Sequence, residues 1–451
     1  MASTMSRKAD PDHSPAERVA WRHALAGLAI VAGLALQIAQ FAGITLAPHG
    51  VGYLLWLSTA LLWRDLPPRN RRQAGWLAAI GLSLLLVAHL VFDADIAWWA
   101  ILDGNTYVVA MLVGVSFIGL IGNLRGQSRP PGGQAITGRR GLAGTWLGVH
   151  LLGTILNLST VFMVGDRLQR RGPLSMPQLL GLNRGLSSAA WWSPFFASMG
   201  IVMTLAPEMD YATVVMLGLP LALCSGLLTL LELPRRFDLS ATAGFSMSPR
   251  SLLMPVAMAG LVMLFHYGLT PQLSIVSIIT FLMPSVALAT NLSRGPAWTL
   301  YRLRQHTLTR LPAMRGEISL FLCAGLLTQG LSTLLDAATG SGWTLFADFG
   351  IAQASLSFLA IVASAVAGLH PIIGVSVLAS MLELAPGEQT LFAFVALSAW
   401  AIGTSVGPLS GINLSLQGRY DVSGTRMMRH NLGYALVMAL LVVAVLWLLA
   451  D

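Results

Sequence analysis

Residues 404–418, TSVGPLSGINLSLQG, place helix-breaking residues beside short polar side chains within an apolar stretch. Glycine loosens a helix because it adds backbone freedom, and proline interrupts one because it lacks an amide N–H. At membrane depth, backbone groups freed by such a break need partners from the protein, from water or from a ligand. We therefore expect a broken helix whose polar side chains bind a solute. The alternative is a kinked helix whose side chains cap its own carbonyls. The breaking residues are Gly403, Gly407, Pro408 and Gly411, and the substrate-binding candidates are Thr404, Ser405, Ser410 and Asn413.

The chain contains a second, sparser segment of the same kind in its first half. There GVHLLGTILNLST is followed by SSAAWWSPFFASMG, and later GLHPIIGVSVLAS is followed by SAWAIGTSVGPLSGINLSL. Paired apolar segments that glycine and proline interrupt point to the central site of a transporter built from repeats. We therefore predict two repeats, and the alternative is a chance similarity of common residues. Further substrate-binding candidates in these segments are Asn157, Ser159, Thr160, Ser193, His370 and Ser376.

Two histidines occupy matching places in these segments, His150 in the first half and His370 in the second. An imidazole titrates near neutral pH, so either side chain is suited to carry a proton that is coupled to transport. The alternative for both is a role in helix packing. Asp348, at the end of a predicted span, is a third candidate for coupling.

The composition indicates a membrane protein. Of 451 residues, 55% are hydrophobic and only 10% are charged, whereas soluble domains carry about 25% charged residues. A transmembrane helix needs about 20 mostly apolar residues, and we count 11 or 12 such runs. We therefore predict an all-α polytopic membrane protein with two inverted repeats that contain re-entrant hairpins and broken helices. The predicted regions are a cytoplasmic tail at 1–23, N-terminal transmembrane helices at 24–73, a first transport repeat at 74–232, connecting helices with a basic loop at 233–315, and a second transport repeat at 316–451.

Short loops rich in arginine set the predicted orientation. Positive charge concentrates in cytoplasmic loops, and the clusters at 64–72, 123–140 and 166–185 agree with a cytoplasmic N-terminus in the inner membrane. We therefore read the formal charge of +8 as a topology signal and expect no nucleic acid partner. Because basic loops flank 141–165 on both sides, we expect that segment to enter the membrane and return, with an ordinary span as the alternative. The basic loop 418–431 is cytoplasmic only with eleven spans, so the count stays open.

The sequence contains no motif of a soluble catalytic module. A Walker A motif, a dinucleotide-binding glycine motif, an HExxH motif and a cysteine pair for a metal are all absent. We therefore expect no enzymatic activity, no catalytic residue, no metal site and no cofactor other than a bound Na⁺ or H⁺. Cys224 and Cys323 lie in apolar runs and are expected to be buried thiols.

The paired motifs resemble the ion transporter superfamily, which includes divalent-anion/sodium symporters, citrate transporters, arsenite-pump-like carriers and the large membrane subunits of tripartite dicarboxylate transporters. These families share two inverted repeats, each with a re-entrant hairpin followed by a broken helix. NLST at 157–160 looks like the tip of the first hairpin, and WWSPFF at 191–196 looks like the first broken helix. GLHPIIGVSVLAS looks like the second hairpin, and TSVGPLSGINLSL looks like the second unwound segment. Neither hairpin carries the full Ser-Asn-Thr triplet of the dicarboxylate carriers, so the resemblance implies the fold more than the substrate.

We therefore expect a secondary active transporter that moves a small, carboxylate-like anion across the inner membrane together with H⁺ or Na⁺. Three alternatives stay open, namely a membrane subunit of a multi-component transporter, a cation/proton antiporter, and a polytopic enzyme that acts on a lipid-linked substrate. The expected partners are the small-molecule solute and membrane lipid, and a homodimer stays open.

Overall fold

The computed structural model describes residues 15–121, 136–246, 253–340 and 343–449, and most of these residues are helical. Short 3-10 segments at Trp63–Asp65, Phe117–Leu120 and Ser188–Trp191 extend three of the helices in the first half. The α-helices of the first half are α1 (Pro15–Phe41), α2 (Gly50–Leu62), α3 (Pro68–Phe92), α4 (Thr106–Ser116), α5 (Gly138–Leu156), α6 (Leu158–Gln169), α7 (Met176–Ser187), α8 (Ala197–Leu205) and α9 (Tyr211–Arg236).

The second half continues with helices of similar length. Single π turns at Phe265–Leu269 and His306–Arg310 follow two of them. These α-helices are α10 (Leu253–Leu264), α11 (Ile275–Leu292), α12 (Pro296–Gln305), α13 (Leu311–Ala313), α14 (Arg315–Thr339), α15 (Ile351–Val366), α16 (Pro371–Ser380), α17 (Pro386–Val406), α18 (Gly411–Tyr420) and α19 (Gly424–Leu448).

Seven helical segments among the described residues are long and apolar enough to cross a membrane. A span needs about 20 residues because a rise of about 1.5 Å per residue must cover a hydrocarbon core of about 30 Å. The predicted all-α polytopic membrane architecture is confirmed, although the sequence count of 11 or 12 also included shorter apolar helices such as α4 and α15. The seven segments are Trp21–Phe41, Pro68–Phe92, Tyr211–Arg236, Ile275–Leu292, Arg315–Thr339, Pro386–Tyr420 and Gly424–Leu448.

Two helices lie where the sequence predicted a tail or a loop. Helix α1 begins at Pro15, within the predicted tail 1–23. Helix α12 lies within the predicted basic loop and begins at Pro296, where a proline is favoured because its missing N–H has no partner in a first helical turn. A search for apolar runs overlooks α12 because the helix is short and carries Arg302 and Arg304 in its last turn. Arg125 and Arg129, which supported the predicted topology, lie outside the described residues.

Each half of the chain contains the same three elements in the same order. Helices α5 and α6 precede the broken helix α7–α8 and the long helix α9, and α15 and α16 precede the broken helix α17–α18 and the long helix α19. We call residues 192–196 the first break and residues 407–410 the second break. The two broken helices contact each other, since Trp191 Nε1 donates to Ser398 Oγ at 3.1 Å. The inverted relation between the halves stays a prediction.

Helices α5 and α6 meet at Asn157, where the backbone has φ 49° and ψ −139°. A positive φ is uncommon outside glycine, and asparagine is one of the residues that tolerate it. The two helices also contact each other. The geometry agrees with a hairpin over 141–165, and its return to one membrane face stays a prediction.

We predict that cysteines introduced at Arg139 and Arg170, which lie at the two open ends of this hairpin, label from the same membrane face. Both positions are exposed, so a membrane-impermeant maleimide can reach them. The background is the chain with Cys224 and Cys323 replaced by serine, and Asp95→Cys in the acidic loop after α3 is the control for the opposite face. Labelling of the two hairpin positions from opposite faces would show that the segment crosses.

Candidate functional site

The tip of the first hairpin is bonded directly to the first break. Ser193 Oγ donates to the Thr154 carbonyl at 2.6 Å, and Asn157 Nδ2 donates to the Phe195 carbonyl at 3.1 Å. Ser193 also accepts from the amide of Phe195, so its hydroxyl is occupied on both sides. The predicted site residues Asn157 and Ser193 are therefore brought together.

Two helix N-termini lie beside this junction without a side-chain cap. Asn157 and Phe196 are the residues that precede α6 and α8, and neither side chain accepts from the first turn of its helix. The first N–H groups of a helix have no partner within it and carry partial positive charge. The first break therefore lacks the side-chain caps that would otherwise bind these backbone donors.

Two hydroxyls of the first turn of α6 complete this region, and they differ in their surroundings. The Thr160 side chain is fully buried, and its Oγ1 has no hydrogen-bond partner among the described residues. Ser159 Oγ accepts from the guanidinium of Arg310, which therefore places a positive charge next to the hairpin tip. Both are predicted site residues, and Arg310 is a neighbour that the sequence did not indicate.

His150 is held in one neutral form by its neighbours. Its Nε2 lies 3.2 Å from Trp192 Nε1, and because an indole nitrogen only donates, that Nε2 is an acceptor. Its Nδ1 lies 2.8 Å from Ser188 Oγ, to which it can therefore donate. The ring also stacks on Trp146 at a centroid distance of 4.8 Å. Protonation of His150 requires the bond to Trp192 to break.

At the second break, backbone carbonyls lose the N–H donors that a continuous helix would provide. The Thr404 carbonyl would accept from residue 408 in a continuous helix, but Pro408 has no N–H. Ser410 Oγ supplies the missing donor at 2.7 Å, and Ser405 Oγ donates back to the Ile402 carbonyl at 2.7 Å. The Thr404 hydroxyl likewise donates to the Trp400 carbonyl at 2.8 Å. These side chains therefore cap their own helix.

Asn413 binds two further carbonyls of the second broken helix. Its Nδ2 donates to the Gly407 carbonyl at 2.9 Å and to the Ser405 carbonyl at 3.2 Å. Ser405, Ser410 and Asn413 are almost completely buried, so in this conformation their side chains are not free donors, contrary to the expectation from the sequence. Direct contact of these three residues with a solute stays a prediction.

Two further asparagines that the sequence analysis did not single out reach the same carbonyl. Asn431 Nδ2 donates to the Ser405 carbonyl at 2.9 Å, and Asn183 Nδ2 approaches it at 3.3 Å. Asn183 also donates to Asn413 Oδ1 at 2.8 Å and accepts from Asn431 at 3.2 Å. The three side chains come from α7, α18 and α19, and all are fully buried. The available signal was an asparagine next to a basic residue in α7 and in α19, with Arg184 beside Asn183 and His430 beside Asn431.

Arg184 binds the asparagine cluster at Asn431. Its Nε donates to Asn431 Oδ1 at 2.8 Å, and its Nη1 lies 2.7 Å from Glu232 Oε2. The guanidinium also lies over the Tyr434 ring at 4.2 Å. The Arg184 side chain is fully buried, and Glu232 balances its charge, so it is not a free cation for an anionic ligand.

The second hairpin packs against the second broken helix. His370 Nδ1 accepts from the Ile372 amide at 3.2 Å and so caps α16, and its ring meets Trp400 edge-on at 5.4 Å. His370 Nε2 has no hydrogen-bond partner among the described residues. Ser376 is buried in α16, whereas Asp348 is exposed in the connection before α15. The structure therefore does not bring Asp348 to either break.

An ion pair connects the first hairpin with the second broken helix. Arg419 of α18 binds both carboxylate oxygens of Asp166 in α6, with Nε–Oδ1 at 2.7 Å and Nη2–Oδ2 at 2.5 Å. Tyr420 Oη adds a bond to Asp166 Oδ1 at 3.0 Å. Gly165 makes this approach possible, because a Cβ there would overlap the Tyr420 hydroxyl.

We predict that Asn431→Ala destabilises the protein by roughly 2–4 kcal/mol, because it leaves the Arg184 Nε and the Asn183 Oδ1 buried without a partner. The measurement is the midpoint of thermal unfolding of the purified protein in detergent, together with its yield. Thr425→Ala, at an exposed position of the same helix, is the matched control and should change little. Equal midpoints for the two variants would mean that the cluster does not support the break.

Scans against protein-family models and against curated proteins give no match for this chain. Among solved structures, the chain is similar to the YdaH transporter of Alcanivorax borkumensis, whose crystal structure is described as having an unusual topology. The match has a TM-score of 0.50 and 14% sequence identity, and it covers 83% of this chain and 97% of that chain. At this identity the likeness concerns the fold alone.

Proposed function

We propose that this chain is a secondary active transporter that moves a small, carboxylate-like anion across the inner membrane, coupled to H⁺ or Na⁺. The observation that carries the proposal is the first break, where a hairpin tip and an unwound segment bring two uncapped helix N-termini together. Such breaks in a membrane helix persist where protein, water or a ligand binds the freed backbone groups. The fold likeness to a protein described as a transporter supports the same class.

An anionic solute fits the groups available at the first break. The N–H groups that start α6 and α8 donate hydrogen bonds and carry partial positive charge. Arg310 adds a full positive charge beside Ser159, and the buried Thr160 hydroxyl lacks a partner that a carboxylate oxygen would supply. We infer that the solute binds at the first break. The resemblance to the ion transporter superfamily stays a prediction.

His370 is a second candidate for carrying a coupled proton. Both nitrogens of His150 are engaged with Trp192 and Ser188, whereas only Nδ1 of His370 is engaged. Because Nδ1 accepts from the Ile372 amide, the neutral His370 ring carries its hydrogen on Nε2, and protonation at Nδ1 requires this one capping bond to break.

The test of the proposed function is uptake of labelled mono- and dicarboxylates into proteoliposomes, with and without a pH gradient or a sodium gradient. We expect gradient-driven uptake in the wild type. Thr160→Val should weaken apparent affinity by roughly 2- to 12-fold, because one hydrogen bond to the solute is lost. Its thermal stability should not fall, because the hydroxyl that is removed has no partner in the protein.

Thr145→Val is the matched control for this variant. The Thr145 hydroxyl is bonded to the Gly141 carbonyl and the Phe245 amide, away from the breaks, so its loss should lower stability and leave affinity unchanged. Absence of gradient-driven uptake for all carboxylates tested would remove the proposed function. Uptake with wild-type affinity in Thr160→Val would show that the solute does not bind the Thr160 hydroxyl at the first break.

We predict that His370→Asn abolishes the pH dependence of transport while the protein remains stable. Asparagine can cap α16 through Oδ1 as His370 does through Nδ1, but it does not titrate. The measurement is initial uptake rate against pH for the wild type, His370→Asn and the exposed control His89→Asn. A pH profile for His370→Asn that matches the wild type would exclude His370 as the coupled group.

A further inference from the structure

The orientation of each amide in the asparagine cluster is fixed by a chain of donors that starts at Arg184. A guanidinium only donates, so the Asn431 atom beside Arg184 Nε is Oδ1, and its Nδ2 faces the Ser405 carbonyl and Asn183. The Asn183 atom that faces Asn431 is therefore Oδ1, and its Nδ2 faces Asn413. Because Asn413 Oδ1 accepts from Asn183 Nδ2, the Asn413 Nδ2 faces the carbonyls of Ser405 and Gly407.

Amide N–H groups consequently occupy the space around the freed carbonyls of the second break. The Ser405 carbonyl faces three Nδ2 atoms at 2.9, 3.2 and 3.3 Å, and the Gly407 carbonyl faces one at 2.9 Å. Unwound carbonyls in broken transporter helices are otherwise suited to bind Na⁺ or another small cation. A cation that approached these carbonyls would meet hydrogen atoms carrying partial positive charge.

We propose that Asn183, Asn413 and Asn431 take the place of a coupling cation at the second break, which is therefore a fixed element that binds no sodium ion. The consequence for coupling rests on the transport function proposed above, because it restricts sodium to other parts of the chain. Sodium binding can be measured without transport, so the proposed ion-free break and the proposed transport function can fail separately.

The test exchanges one amide for a carboxylate. In Asn413→Asp, carboxylate oxygens face two carbonyl oxygens at the distances the amide had, and this repulsion is relieved when a cation binds between them. The purified protein is heated at pH 8 in NaCl, KCl or choline chloride of equal ionic strength. We expect no sodium-specific shift of the unfolding midpoint in the wild type beyond any that Asn413→Leu also shows, and in Asn413→Asp a lowered midpoint that rises saturably with Na⁺ by about 2 °C or more.

Asn413→Leu is the matched control, since it removes the amide without adding charge and should lose stability equally in all three salts. Binding of ²²Na⁺ to the wild type and to Asn413→Leu keeps the test decisive if Asn413→Asp cannot be purified. Sodium-specific stabilisation or binding in the wild type that disappears in Asn413→Leu would overturn the proposal. Sodium binding that is equal in both proteins places the ion elsewhere and supports it.

Discussion

The Ser405 carbonyl is the constraint around which this protein is arranged. An unwound helix in a medium without water leaves carbonyl oxygens that each need a donor, and an unpaired buried group costs several kcal/mol. Here the donors come from α7, α18 and α19, so satisfying one oxygen fixes three helices relative to each other. The broken helix α17–α18 is thereby held against α7, the first segment of the other broken helix.

The two breaks solve the same backbone problem differently. At the second break, side chains of the protein bind the carbonyls of Thr404, Ser405 and Gly407. The buried Arg184, paired with the half-buried Glu232, supports the asparagines that do so. The first break is tied to its hairpin tip by Ser193 and Asn157, but the helices that start there lack side-chain caps. The two breaks therefore differ in their chemistry, because a side chain caps the helix that starts at the second break and no side chain caps the helices that start at the first.

The sequence predicted the positions of the breaks because glycine, proline and asparagine act locally on the backbone. Asn157, Pro408 and Gly411 lie at the observed helix ends for that reason. The partners of the breaks were not predictable, because Asn183 and Asn431 lie 222 and 26 residues from Ser405 along the chain, and no local pattern records contacts over such separations. The sequence likewise marked Ser410 as a donor without indicating its acceptor. That acceptor is the Thr404 carbonyl, which has no helical donor because Pro408 lacks an N–H. Helix α12 was overlooked because a ten-residue segment with two arginines is too short and too charged to resemble a span.

The Arg184–Asn431 contact joins residues 247 positions apart, and this separation has a consequence for biosynthesis. At about 5–20 residues per second, the ribosome needs roughly 12–50 s to reach Asn431 after it has made Arg184. During that interval a guanidinium and the Asn183 amide belong to a helix whose polar partners in α19 do not yet exist. Arg184 finds its charged partner, Glu232, within the first half of the chain, so the contacts between α7 and α19 are the last of this cluster to form.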